Sequence, residues 1–383
     1  MYRRLEPQEY VGKLAPSLGM ILQKDLNIAN VEVSEEFLDP ITFLAATYFR
    51  EPLVDALKAV NTSLQRTSEA VPVLSLTHAM GLGKTHFLTL LYHLYTKVPA
   101  MWSSVEEGLP EESDLLAEKA SYRIDTAERT LVIAIDLKYI PSELLPYNAL
   151  FLTLGKIFEK YKRRVLEAEV SRAKLNSFEE LLRRIDSYEP RDAARKFVET
   201  LSGLAVNIPI LIMVDEIYAA VFEAIAGASG DYINSVRKVL LFLTSLIDEL
   251  RGKFPAVLVY ASAMQDVQRW RDVAGLSVDR DDKKWLKEAV EYFEERTRRF
   301  APINVRDVSE EEALEIVKKR IVRLKVSIDE ALSSSAIEEI RRALSEIVGN
   351  PEAARFVDEL RRTYPFSPVY RELVRKLITP AYS

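Results

Sequence analysis

The run His78-Ala79-Met80-Gly81-Leu82-Gly83-Lys84-Thr85 constrains this chain more than any other stretch. A glycine at 81 and at 83 lets backbone approach a ligand closely and adopt positive φ, which side chains oppose. Backbone N–H groups in such a loop, and at the start of a following helix, cradle phosphate. Lys84 adds a point charge suited to terminal phosphates, and Thr85 offers a hydroxyl to Mg²⁺. The loop matches the end of the pattern G-x-x-x-x-G-K-[ST], with His78 where the first glycine usually stands. Such a loop needs a strand before it and a helix after it. Val71 to Leu76 reads as a short buried strand and Phe87 to Tyr95 as an apolar helix. The residues expected to hold ATP are therefore His78, Ala79, Met80, Gly81, Leu82, Gly83, Lys84, Thr85 and His86, with Thr85 on the metal.

A phosphate loop alone does no hydrolysis. It needs a carboxylate for Mg²⁺ and a group to activate water. The apolar run Ile210-Leu211-Ile212-Met213-Val214 ends in Asp215-Glu216. A buried strand would carry Asp215 to the carboxyl edge of a sheet, where open α/β sheets bind ligands. Asp215 is expected to hold the metal and Glu216 to orient and activate the attacking water. Asp136 also ends an apolar strand, Thr130 to Leu137, but Leu137 follows it and no paired base is present. Asp136 is read as a structural residue or one that supports the metal carboxylate.

The rest of the chain alternates strand and helix. Ala256 to Ala261 reads as a fourth strand and Ala301 to Val305 as a fifth. Helices are expected over 147–169, 178–202 and 232–251, and residues 103–128 as a charged surface excursion. The alternation predicts a parallel sheet covered on both faces. Residues 1–65 read as an N-terminal helical segment broken near Asp39-Pro40, residues 66–308 as the core, and residues 309–383 as a helical lid. The lid is broken at Gly349-Asn350-Pro351 and at Tyr364-Pro365.

With 383 residues, 48% hydrophobic, the chain is long enough for a large core. It has no cysteine, which excludes disulfides, thiolate metal sites and a thiol nucleophile. Its three histidines, His78, His86 and His93, all lie in or just after the loop, so a histidine-based metal site is not expected. A net charge of −6 argues against coating nucleic acid by bulk charge, though not against a local basic groove. The start lacks the apolar stretch of a signal peptide, and no apolar run is long enough to span a bilayer. The expectation is a cytoplasmic protein with no membrane partner.

Further candidates follow from position. Ser262, at the end of the fourth strand, is the first choice for a side chain touching the γ-phosphate, with Gln265 second. Arg298 and Arg299, in Arg296-Thr297-Arg298-Arg299, are candidates to stabilise transition-state charge in a neighbouring subunit. A solvated basic helix end explains the same run. Arg355, on a helix after Gly349-Asn350-Pro351, could reach the nucleotide from the lid, or make a surface ion pair. The run Lys160-Tyr161-Lys162-Arg163-Arg164 could meet phosphates, but Glu167 and Glu169 follow it, which favours a salt-bridged solvated face.

Taken together, these pieces resemble the AAA+ superfamily, and more closely an uncharacterised prokaryotic branch of it. Three stretches carry the likeness: Asp39-Pro40-Ile41-Thr42-Phe43-Leu44 with Thr47-Tyr48, Gly81-Leu82-Gly83-Lys84-Thr85-His86 with Leu91-Tyr92-His93-Leu94, and Tyr364-Pro365-Phe366-Ser367-Pro368. Ser367 stands where the branch commonly has histidine. The resemblance implies a P-loop NTPase with a three-layer αβα core and parallel sheet, N-terminal helices and an all-helical lid from about Ser309. It implies ATP and Mg²⁺ as ligands and assembly into a homo-oligomer, with Arg298 or Arg299 acting in trans. It also suggests a motor or switch working near DNA, in genome maintenance or defence. A protein-remodelling ATPase, a nucleotide-binding scaffold with little hydrolysis and a small-molecule kinase are the competing readings.

Overall fold

The computed structural model describes residues 5–7, 18–26, 33, 38–45, 47–49, 51–66, 70–78, 84–96, 130–138, 145–167, 172–206, 208–225, 230–263, 281–297, 312, 315–316, 322–324 and 332–364. The chain divides into two compact units. The larger comprises Pro16–Ile41 and Glu51–Arg306; the smaller joins Met1–Ala15, Thr42–Arg50 and Asp307–Ser383.

The larger unit is α/β. Four strands, β2 (Val73–His78), β3 (Leu131–Asp136), β4 (Ile210–Asp215) and β5 (Val257–Ala263), form an all-parallel sheet in the order β2-β5-β4-β3. Every residue of β3 and β4 is buried. Such unbroken apolar runs are what a sheet covered on both faces requires, since alternate side chains point to opposite sides.

The two faces carry different helices. Leu131, Ile133, Ile135, Ile210, Ile212, Val214, Leu258 and Tyr260 share one apolar core with helices α5 (Pro146–Glu167), α6 (Arg172–Arg184), α7 (Pro190–Leu204), α9 (Gly230–Lys253) and α10 (Asp281–Thr297). The alternate residues, Val132, Ala134, Leu211 and Met213, are buried on the other face. There α1 (Leu18–Asp25) and α4 (Lys84–Thr96) pack on the strands, α1 on β3 and α4 on β3 and β4. Helix α2 (Pro40–Ala45) precedes α3 (Glu51–Leu64), which contacts β5, and the short α8 (Ile217–Ile225) follows β4 directly.

A chain of aromatic rings binds the helices of the first face. Tyr147 and Phe151 of α5 meet at 5.0 Å, Phe151 and Phe242 at 5.0 Å, Phe242 and Phe197 at 5.9 Å, Phe197 and Phe178 at 5.6 Å, and Phe178 and Phe158 at 4.7 Å. Most cross edge to face, the geometry the ring quadrupole favours.

The four strands of the sheet and the helices expected over 147–169 and 232–251 stand within a few residues of their expected positions; α8 and α10 were not foreseen, and two expectations are corrected. The expected helix over 178–202 is two helices, α6 and α7, separated by a 3-10 turn at Ile185–Ser187. Pro190 opens α7 at its first turn, where the missing N–H costs nothing; inside one long helix it would break a backbone hydrogen bond. The ends are not all helical either. Leu5–Pro7 (β1) pairs antiparallel with Val322–Leu324 (β6), which interrupts both the N-terminal segment and the lid. Three-residue strands joined across most of the chain leave no local periodicity to read. The candidate fifth strand at 301–305 and the excursion at 103–128 lie outside the described residues.

In the smaller unit, α11 (Ser334–Val348) and α12 (Asn350–Thr363) form a helical pair around Leu332, Ile337, Val357, Leu360 and Tyr364. The expected break at Gly349-Asn350-Pro351 is present. Gly349 adopts φ 86° and ψ 160°, a conformation essentially restricted to glycine, and ends α11 while capping α12. No helix among the described residues is long and apolar enough to cross a membrane.

Phe242 sits at the junction of three ring contacts and is 1% exposed. Phe242→Ala is expected to cost about 3–5 kcal/mol by cavity formation, whereas Phe242→Leu should cost clearly less. Chemical denaturation of the two variants checks the ranking.

Candidate active site

Three elements of the larger unit converge at the carboxyl edge of the sheet. Strand β2 runs to His78, whose backbone pairs in register with Ala263 of β5. Helix α4 then begins at Lys84, so Lys84, Thr85 and His86 form its first turn, all half-buried. No acidic residue stands in that turn, which leaves the positive end of the helix dipole unopposed by its own sequence. Ala79, Met80, Gly81, Leu82 and Gly83, which join strand to helix, lie outside the described residues. The strand and helix that the loop requires are therefore both in place.

The strand order decides where ligands can bind. From β2 the chain crosses to β3 at the far edge, then returns through β4 to β5. Helix α4 and the helices after β3 and β4 consequently cover opposite faces. The crevice opens at the carboxyl ends of the strands near β2 and β5, where the winding reverses.

Asp215 ends β4 in this crevice and is 2% exposed. Its Oδ1 accepts the N–H of Glu216 at 2.9 Å. Its Oδ2 is buried and has no hydrogen-bond partner among the described residues. The carboxyl is pushed well above the usual carboxylate range, first by burial and then by the charges of Asp136 and Glu216. The Thr85 hydroxyl and the Glu216 N–H act in the opposite direction. Thr85, from the first turn of α4, and Asp215, from a strand two positions from β2 in the sheet, thus meet.

Asp136 pairs in register with Asp215. Burial raises its carboxyl too, while the N–H groups of Lys138 and Gly19 pull the other way. Both oxygens are committed: Oδ1 to Lys138 N–H and Oδ2 to Gly19 N–H, each at 2.9 Å. Gly19 is in the first turn of α1, so Asp136 caps that helix and fastens it to the sheet. This is the structural task anticipated for Asp136, with a partner the sequence did not disclose.

Glu216 adopts φ 52°, left-handed for a residue with a side chain. Such a conformation costs on the order of 1–2 kcal/mol and persists where surroundings impose it. Its carbonyl accepts Ala219 N–H at 3.0 Å and starts α8. Its charge is felt by both aspartates.

The remaining candidates are placed less completely. The backbone of Ser262 lies in β5, in register with Thr77 of β2 and between β2 and β4, the strand of Asp215. Arg298, Arg299 and Gln265 lie outside the described residues; the two arginines directly follow Thr297, the last residue of α10. Arg355 is exposed on α12 of the smaller unit. Arg296 is engaged within its own unit, with Asp248 at 3.8 Å and the Tyr292 hydroxyl at 3.2 Å. Lys160, the first cation of the basic run, donates to the Asp25 carbonyl at 2.8 Å and lies 3.8 Å from its carboxylate. The salt-bridged reading therefore holds for Lys160, with a partner on α1 in place of Glu167 or Glu169.

Residues 7–269 match the model of the DUF499 N-terminal domain. The chain belongs to this family. The match takes in the whole parallel sheet and both strand-end aspartates of the DUF499 domain. No curated protein and no solved structure matches the chain.

A hydroxyl beside a buried carboxylate with one free oxygen is a hard-oxygen donor set that fits Mg²⁺, which keeps several waters and takes few protein ligands. No cage of three acidic or histidine side chains exists among the described residues, so the ion would depend on phosphate oxygens for the rest of its shell.

Because the folded-state pKa of Asp215 lies above the ordinary 3.8, the folded protein binds the proton more tightly than the unfolded chain. Stability therefore falls as pH rises from about 4 to about 7, and the loss is complete above that. Asp215→Asn should stabilise the ligand-free protein at pH 8 by on the order of 1–3 kcal/mol, one pKa unit being about 1.4 kcal/mol. The gain should shrink toward pH 4. Thermal melts of the two proteins across that range test it; equal melting at pH 8 would mean the carboxylate carries no stored cost.

Proposed function

We propose that this DUF499 chain binds Mg-ATP and hydrolyses it as a P-loop motor or switch of the AAA+ type. The observation that carries the reading is the meeting of Thr85 with the unsatisfied Asp215 carboxylate at the carboxyl edge of a parallel sheet ordered β2-β5-β4-β3. A merely structural aspartate would have its lone pairs filled, as Asp136 does.

The loop from His78 to Thr85, with His86 behind it, would hold the phosphates through backbone N–H groups, and Lys84 would hold the terminal phosphate by charge. Thr85 and Asp215 would bind Mg²⁺, which supplies neutralisation of phosphate charge. Glu216 accepts a proton from water and orients it. Ser262 on the strand between the two would contact the γ-phosphate. Arg298 or Arg299 would act on the site of a neighbouring copy.

Steady-state hydrolysis tests these roles. Lys84→Ala should abolish ATP binding. Glu216→Gln should retain ATP and lower kcat by about 10²–10⁴-fold, the usual worth of a general base. Asp215→Asn should lose the response to Mg²⁺ while folding at least as stably as the parent. Turnover unchanged in Glu216→Gln would remove the base assignment. ATP binding without turnover in the unaltered protein would make the chain a nucleotide-dependent scaffold.

A further inference from the structure

Helices α9 and α10 present an aromatic and basic cluster that the nucleotide site does not use. Trp285 of α10 is 51% exposed, one of few large apolar side chains left in water among the described residues. The Arg237 guanidinium of α9 lies over its ring, 5.5 Å from the centroid. Lys238, the next residue, lies 5.9 Å from the ring centroid of Tyr147 at the start of α5. Lys284 precedes Trp285 and is exposed.

None of Arg237, Lys238 and Lys284 has a carboxylate partner among the described residues. Acidic residues outnumber basic ones, 58 to 52, and the neighbouring Lys287 of α10 is paired with Glu291 at 3.9 Å. Asp231 and Glu288 flank the cluster along their helices and confine it to a short row.

Element lengths bring the row toward the sheet's carboxyl edge. Helix α9 passes into β5 through Phe254, Pro255 and Ala256, so it runs back along the strand it precedes. From Lys253 to Arg237 the helix rises roughly 24 Å, and β5 extends roughly 23 Å. The Ser235 hydroxyl, beside the cluster, accepts the N–H of Tyr147, whose helix follows the end of β3.

We propose that this row is a binding surface for single-stranded nucleic acid, with Trp285 stacking on a base and Arg237, Lys238 and Lys284 contacting the flanking phosphates. The exposed indole favours a ligand with flat π faces, and the unpaired cations favour a polyanion; a single strand offers both in alternation. Arg237 holds the indole from one side by cation–π contact, which leaves less freedom to lose on binding. The row is short, so it grips one or two nucleotides. The inference is independent of the ATPase reading, since none of these side chains belongs to the Thr85–Asp215 site.

Fluorescence anisotropy with a labelled 20-nucleotide oligothymidylate, measured without nucleotide, tests the proposal. The unaltered protein should bind, with affinity falling as salt rises at a log–log slope near −2, about 0.7 for each of three cations. Trp285→Ala should weaken binding roughly 5–150-fold, the worth of stacking one base. Trp285→Phe should restore much of it. Arg237→Gln with Lys284→Gln should flatten the salt slope by about 1.4. Lys84→Ala should bind oligonucleotide as the parent does, which separates this surface from the nucleotide site. Matching thermal melts establish that the half-exposed positions leave the fold intact. Affinity unchanged in Trp285→Ala would overturn the proposal. So would equal binding of labelled polyglutamate that depends on the cations but not on Trp285, which would make the surface a site for acidic peptide.

Discussion

The larger unit depends on keeping both faces of a small parallel sheet out of water. Strands β3 and β4 are buried along their whole length, so helices must cover each face. Parallel strands also need long crossovers, and the crossovers supply those helices. Once the order is β2-β5-β4-β3, the end of β4 must open toward the helix that follows β2. The chemistry at the edge is a consequence of how the core is closed.

The same packing creates an electrostatic problem. Asp136 and Asp215 stand in register on neighbouring strands, which lie roughly 4.8 Å apart, and both are buried. The two carboxylates are accommodated differently. Asp136 fills both oxygens with backbone donors and uses them to hold helix α1. Asp215 fills one and leaves the other without a partner among the described residues. Glu216, next to it, is held in a left-handed backbone. Cost is therefore concentrated in two consecutive residues, and the aromatic chain through Phe242 offsets it from the opposite face of the sheet. Stored cost at a strand end is a common mark of a site that a ligand completes.

Much of this was legible in the residues. Apolar runs ending in Asp136 and Asp215 marked two strands, and the strand before Gly81 and the helix at Lys84 stand where the glycine-rich run requires them, because burial on both faces and close backbone approach each demand particular residue types. Pro190 could have shown that 178–202 is two helices, had the proline been weighed over the apolar spacing. The pairing of Leu5–Pro7 with Val322–Leu324 could not have been read, because three-residue strands carry no period and their partners lie at opposite ends of the chain. Trp285 and Arg237 were equally silent, being neighbours only because α9 and α10 pack side by side.

The sequence by itself determined the four strands of the parallel sheet, the glycine-rich run between β2 and α4 and the acidic end of β4, because these follow from local periodicity, backbone freedom and side-chain type. Only the tertiary structure decided that β5 lies between β2 and β4, that Asp136 is spent on α1 while one Asp215 oxygen has no partner among the described residues, and that Arg237 lies over the exposed indole of Trp285. Those outcomes depend on which strand neighbours which and on where each buried donor finds an acceptor, and residues distant in the chain share that information only once the core has closed.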